Sequence, residues 1–168
     1  MEAKEKPVLK EIADYTLPNG LVIQIGPLQQ ENFENLNKWI RRRYMQNIRS
    51  VLEDFPIDEQ EKLLNRAVKD AALMSVKTEE GLQVLYESVN GYARLCYELI
   101  RNPTISFEEF CKILFSNDND YSVFANVLHD MFFTVYDEMF VANVANMYTD
   151  EMLKEMFAEN EQNVAPKE

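Results

Sequence analysis

Apolar residues fall three or four positions apart through most of this chain, and that spacing predicts amphipathic helices. Between residues 78 and 101, Leu82, Leu85, Tyr86, Val89, Ala93, Cys96 and Leu99 share one helical face. Asn102 and Pro103 stop the run, since proline lacks the amide proton a helix needs and disfavours helical angles in the residue before it. A new start follows at Ser106, with Glu109 three residues on as a capping box and Ile105 and Phe110 placed as a hydrophobic staple. That helix is expected to bury Phe107, Phe110, Cys111 and Leu114. Upstream, Phe33, Leu36, Ile40, Tyr44, Ile48, Leu52 and Phe55 predict a long helix over 30–55 that stops before Pro56. Asp58 with Glu61 repeats the capping pattern, and Leu64, Ala67, Val68, Ala71 and Met74 predict the buried face of a helix ending near Lys77. Thr78 then caps the central helix, with Glu79 and Glu80 in its first turn, where the helix dipole favours negative charge.

Only residues 14–25 carry a strand signal, as two β-prone runs around Asn19 and Gly20, a pair that accepts the angles of a tight turn. A two-stranded ribbon is marginal alone, so Leu21, Ile23 and Ile25 are expected to pack on the helices or on another copy of the chain. Residues 121–148 are apolar on nearly every side, including Phe124, Val127, Met131, Phe132, Val135, Met139 and Phe140. Such a helix must be covered, either by its own chain or by a partner. Methionines at 131, 139, 147, 152 and 156 suit adaptable apolar contact as well as they suit gap-filling in a core. A short acidic helix is expected over 150–158. The fold class expected is mainly α: a bundle of five to six helices with a short N-terminal β-hairpin. One domain spans 12–158, with flexible ends at 1–11 and 159–168.

Charge narrows the partners. With 29 acidic against 17 basic residues, the net charge of -12 opposes binding to nucleic acid or to an anionic membrane. No apolar run reaches the roughly 20 residues of a membrane helix, and no signal-peptide core is evident near the N-terminus, so a cytoplasmic location is expected. Lys38, Arg41, Arg42, Arg43 and Arg49 form a local basic cluster, read as a solvated face pairing with the protein's own carboxylates. Cys96 and Cys111 lie on apolar helical faces, where a small buried thiol is the usual occupant, and no disulfide is expected.

Catalytic equipment is sparse. His129 is the single histidine, which excludes two-histidine metal sites within one chain. A dyad of Cys96 or Cys111 with His129 is compatible with the spacing, although both cysteines look buried. Residues 118–129 begin like a calcium loop, but Val123 stands where glycine is needed and His129 where glutamate is needed. No phosphate-cradling glycine loop or nucleophile elbow occurs. The expectation is a protein that is not an enzyme, with no catalytic residue, metal or cofactor.

In order, the runs TLPNGLVIQI, PLQQENFENLNKWI with Trp39, TEEGLQVLYESV and NPTISFEEFCKIL resemble a family of small acidic helical proteins of tailed bacteriophages, the tail assembly chaperones. The resemblance covers residues 15–115. It implies a non-enzymatic, protein-binding factor in the host cytoplasm that holds the aggregation-prone tape-measure protein, or another tail protein, during assembly. Helix-in-groove recognition would supply the mechanism, with Phe124, Met131, Phe132, Met139 and Phe140 as the candidate contacts. Two other readings stay open: a neck or tail subunit of the virion that forms a homo-oligomer, and an acidic adaptor or inhibitor that binds a host protein.

Overall fold

A computed structural model describes residues 12–116 and 121–136, and helix dominates them, as the mainly α expectation requires. Among the described residues there are three short strands and six α-helices: β1 Ala13–Thr16, β2 Val22–Ile25, α1 Gln30–Val51, α2 Ile57–Leu73, α3 Glu79–Tyr86, α4 Val89–Tyr97, β3 Ile100–Arg101, α5 Phe107–Leu114 and α6 Tyr121–Val135. The chain gathers into two compact units, residues 29–91 and the residues on either side of them, with the division falling inside α4.

In the flanking unit, β1 and β2 pair antiparallel with Tyr15 opposite Ile23. The turn between them closes through hydrogen bonds from Gly20 N–H to the Leu17 carbonyl (2.8 Å) and from Leu17 N–H to the Leu21 carbonyl (2.9 Å). Gly20 alone takes positive φ, at 85°, and Asn19 instead accepts a hydrogen bond from Leu21 N–H through its side chain. Alternation sends Ile23 and Ile25 inward and Val22 and Gln24 outward.

A third strand joins this hairpin. Ile100 pairs with Ile25 and Arg101 with Gln24, giving the antiparallel order β1-β2-β3. Here the structure corrects two expectations: 14–25 is not the only strand region, and the central helix does not run on to Asn102. It ends at Tyr97, because β2 offers the next residues a ladder of backbone hydrogen bonds that a helix end, with its unsatisfied carbonyls, does not have. Asn102 then turns the chain with φ of 47° before Pro103. Ser106 and Glu109 form the expected capping box: Glu109 N–H donates to Ser106 Oγ (3.2 Å) and Ser106 N–H to the Glu109 carboxylate (2.7 Å). α6 packs on β1 and α5, and Leu17, Ile25, Leu99, Phe110, Leu114, Phe124, Met131 and Phe132 are almost wholly enclosed. Tyr136 ties the edge down by accepting a hydrogen bond from Leu28 N–H (2.8 Å).

In residues 29–91, α1 passes through a single 3-10 turn, Leu52–Asp54, before Pro56 starts α2. Pro56 occupies the capping position expected of Asp58, which lies in the first helical turn with Glu59. Ala67 and Ala71 are buried, and small residues there let helices approach closely. Val68, expected on that buried face, is 55% exposed. α1 supplies hydrogen bonds to the stretch after α2: Asn37 accepts from Val76 N–H (2.8 Å), and Arg41 Nε donates to the Met74 carbonyl (3.1 Å). Thr78 caps α3 as expected, its hydroxyl accepting from Gly81 N–H (3.2 Å).

The predicted central helix is also broken at Glu87 and Ser88. Ser88 accepts from Gly91 N–H through its carbonyl (3.0 Å) and hydroxyl (3.4 Å), and the Leu85 carbonyl oxygen would lie only 1.6 Å from a Cβ at position 91. Glycine permits this close approach; any other residue would force the two segments apart.

Candidate functional site

α1, α2 and α3 leave an open cleft of about 640 Å³ in the unit of residues 29–91. Tyr44 and Asn47 reach it from α1, Asp70 and Leu73 from α2, and Glu80, Gln83 and Val84 from α3, with Met74 just past the end of α2 and Glu87 just past the end of α3. These positions follow from helical geometry: Tyr44 and Asn47 are three apart, as are Asp70 and Leu73, while Glu80, Val84 and Glu87 recur at four and three. A smaller hollow of about 250 Å³ adjoins it and shares Tyr44 and Asp70. Its wall is more apolar, with Ile48, Val51, Leu52, Phe55 and Leu63.

Exposure sets this groove apart from ordinary surface. Leu73 is 78% exposed, Val51 44% and Phe55 40%, so a large share of each side chain's apolar surface stands in water. Scattered single apolar residues are normal on a protein surface, whereas apolar side chains gathered around a concavity mark a place where another molecule fits. Carboxylates rim the larger part. Glu87 accepts a hydrogen bond from the Asn47 amide (2.6 Å), and Asp70 lies 3.7 Å from the exposed guanidinium of Arg66.

The expected contact residues sit elsewhere. Phe124 and Phe132 are 1% exposed and Met131 0%, so in this conformation none of the three presents surface. Met139 and Phe140 lie outside the described residues. Phe33 and Phe55, expected on the buried face of α1, are 38% and 40% exposed. The groove residues Val51, Leu63 and Leu73 stand off the stripes that periodicity marks as buried, and that offset is the signal in the sequence that points to them.

The reactive side chains are not gathered into a site. Cys96 and Cys111 are free thiols. Burial pushes both up, Cys111 to about 12, so each stays protonated at neutral pH, and neither sulfur is hydrogen-bonded to His129. His129 is exposed on α6, its Nδ1 3.4 Å from Asp130 and its ring 4.1 Å from that of Phe133. Among the described residues no cluster of three or more His, Cys, Asp or Glu side chains could hold a metal ion, and no helix is long and apolar enough to cross a membrane.

The basic cluster of α1 also behaves differently from expectation. Among the described residues none of Lys38, Arg41, Arg42, Arg43 and Arg49 forms an ion pair with a carboxylate. Arg41 serves the Met74 carbonyl instead. Scans against protein-family models, curated proteins and solved structures find no match to this chain.

Proposed function

We propose that this protein is a non-enzymatic binding factor that holds an amphipathic helical segment of another polypeptide, and that its client is the tape-measure protein of a phage tail. The observation that carries this reading is the groove of α1, α2 and α3, where Val51, Phe55 and Leu73 stay in water beside a concave surface. A helix laid there would cover these side chains, and burial of apolar surface is the dominant favourable term in protein association. The fully enclosed Phe124, Met131 and Phe132 contribute in this reading by holding their own unit together. The acidic chain, at a net charge of -12, keeps a greasy client dispersed by mutual repulsion between complexes.

Co-expression tests the proposal. A phage tape-measure protein co-expressed with this chain should remain soluble with the wild type and precipitate with the double variant Leu73→Gln, Phe55→Gln, while the variant itself stays folded. Equal solubility with both would refute the groove's role. Mass spectrometry of purified virions should find the protein absent from finished tails, and a fixed number of copies per particle would make it a structural subunit instead.

A further inference from the structure

We infer that the helix this groove accepts is basic on its polar side, with Lys or Arg placed to meet Asp70, Glu80 and Glu87. The inference rests on the protein-binding reading and adds the chemistry of the partner. Leu73, Met74 and Val84 give the larger cleft its apolar lining, and the three carboxylates are its only charged groups. Arg66 lines only the smaller hollow, and its pair with Asp70 is long and solvent-exposed, while Arg41, beside the cleft, directs its Nε to the Met74 carbonyl and forms no ion pair with the three carboxylates. An acidic or neutral helix would therefore bring its own charge or its own dry surface against uncompensated carboxylates. A Lys or Arg side chain does better, laying its methylene stem over the apolar lining while its charged end reaches the rim. Apolar side chains at i, i+3 or i+4, and i+7 on the same helix would face Val51, Phe55 and Leu73. Nucleic acid and phosphate-bearing ligands are disfavoured by the same carboxylates.

Two synthetic helical peptides with an identical Leu and Ile face, one with Lys and the other with Gln at every remaining position, test this by fluorescence anisotropy against the full-length protein. The Lys peptide should bind more tightly, lose its advantage at high salt, and weaken about two- to fivefold for each of Glu80→Gln and Glu87→Gln. Leu73→Gln should weaken both peptides. Equal binding of the two peptides, insensitive to salt, would overturn the charge assignment and leave the protein-binding reading standing. Undiminished binding of the Lys peptide to the double Glu80→Gln, Glu87→Gln variant would overturn the site, since attraction would then come from the net charge of the whole chain. No binding of either peptide, or peptide binding lost as the protein self-associates in sedimentation, would overturn the inference and the groove's role together. Melting curves of each variant guard against loss through unfolding.

Discussion

Residues 29–91 leave Phe33, Val51, Phe55, Ile57, Val68 and Leu73 exposed, whereas the unit formed by the flanking residues exposes only Ile12 and Val22 among the large apolar side chains described. The contrast runs against apolar content. α6 is the richest apolar stretch described, yet Phe124, Met131, Phe132 and Val135 are all at most 1% exposed. α1 and α2 carry ordinary amphipathic patterns with many charges, and they hold the open surface. Apolar richness thus reports how much must be covered, not who covers it. Exposure falls both on residues off a helix's main stripe, Val51 and Leu73, and on stripe members that no neighbour covers, Phe33, Phe55 and Val68.

The largest way to break this contrast is Phe132→Ala. If α6 is core, removing that enclosed ring should lower unfolding free energy by about 3–5 kcal/mol, read from chemical denaturation. A loss below about 1 kcal/mol would place the ring in a loose or exposed setting and dissolve the distinction between the two units. Gly91→Ala probes a close backbone approach in the other unit. Its new methyl would meet the Leu85 carbonyl oxygen at 1.6 Å, so a loss of about 1–3 kcal/mol is expected from the same measurement. A neutral outcome would mean that the break between α3 and α4 can relax freely.

Ser106→Ala should cost about 1 kcal/mol through the lost N-cap. Its partner Glu109 adds a pH signature. Hydrogen bonds from the Ser106 backbone and side chain hold the Glu109 carboxyl below the usual carboxylate range. The folded value is therefore depressed, and its contribution is present above the ordinary carboxylate pKa and lost as pH falls through the lowered one. Thermal melts of wild type and Glu109→Gln should accordingly converge on acidification, and a constant gap between them would disprove the linkage.

Local features were legible from sequence because their partners are close along the chain. The Ser106–Glu109 box and the Thr78 cap each need a residue only three positions away, and both form. The hairpin was legible for the same reason, although Gly20 alone carries the positive φ. What periodicity misread depended on distant partners. Leu99 continues the helical spacing of Cys96, yet Ile100 and Arg101 leave the helix to pair with β2, more than 70 residues earlier. Gly91 offered a warning, since an interior glycine weakens a helix, but the carbonyl it accommodates could not be read from spacing. The groove was hidden by a deeper limit. A stripe of apolar residues shows that a face will be buried; it does not show that Val68 will miss its cover, or that Val51 and Leu73 will line adjoining hollows.

The smallest expected change in stability is the sharpest probe of the comparison. Leu73 is the final residue of α2 and already stands 78% in water, so Leu73→Gln removes little buried apolar surface and keeps a good helix former. Unfolding free energy should stay within about 0.5 kcal/mol of wild type. A loss above about 1.5 kcal/mol would make Leu73 a core residue, and the open face of α1, α2 and α3 would lose its most exposed member. The same variant should nonetheless bind an amphipathic helix less well. Unchanged stability with weakened binding separates a surface kept for a partner from one merely left uncovered, since a side chain without a partner would move neither measurement.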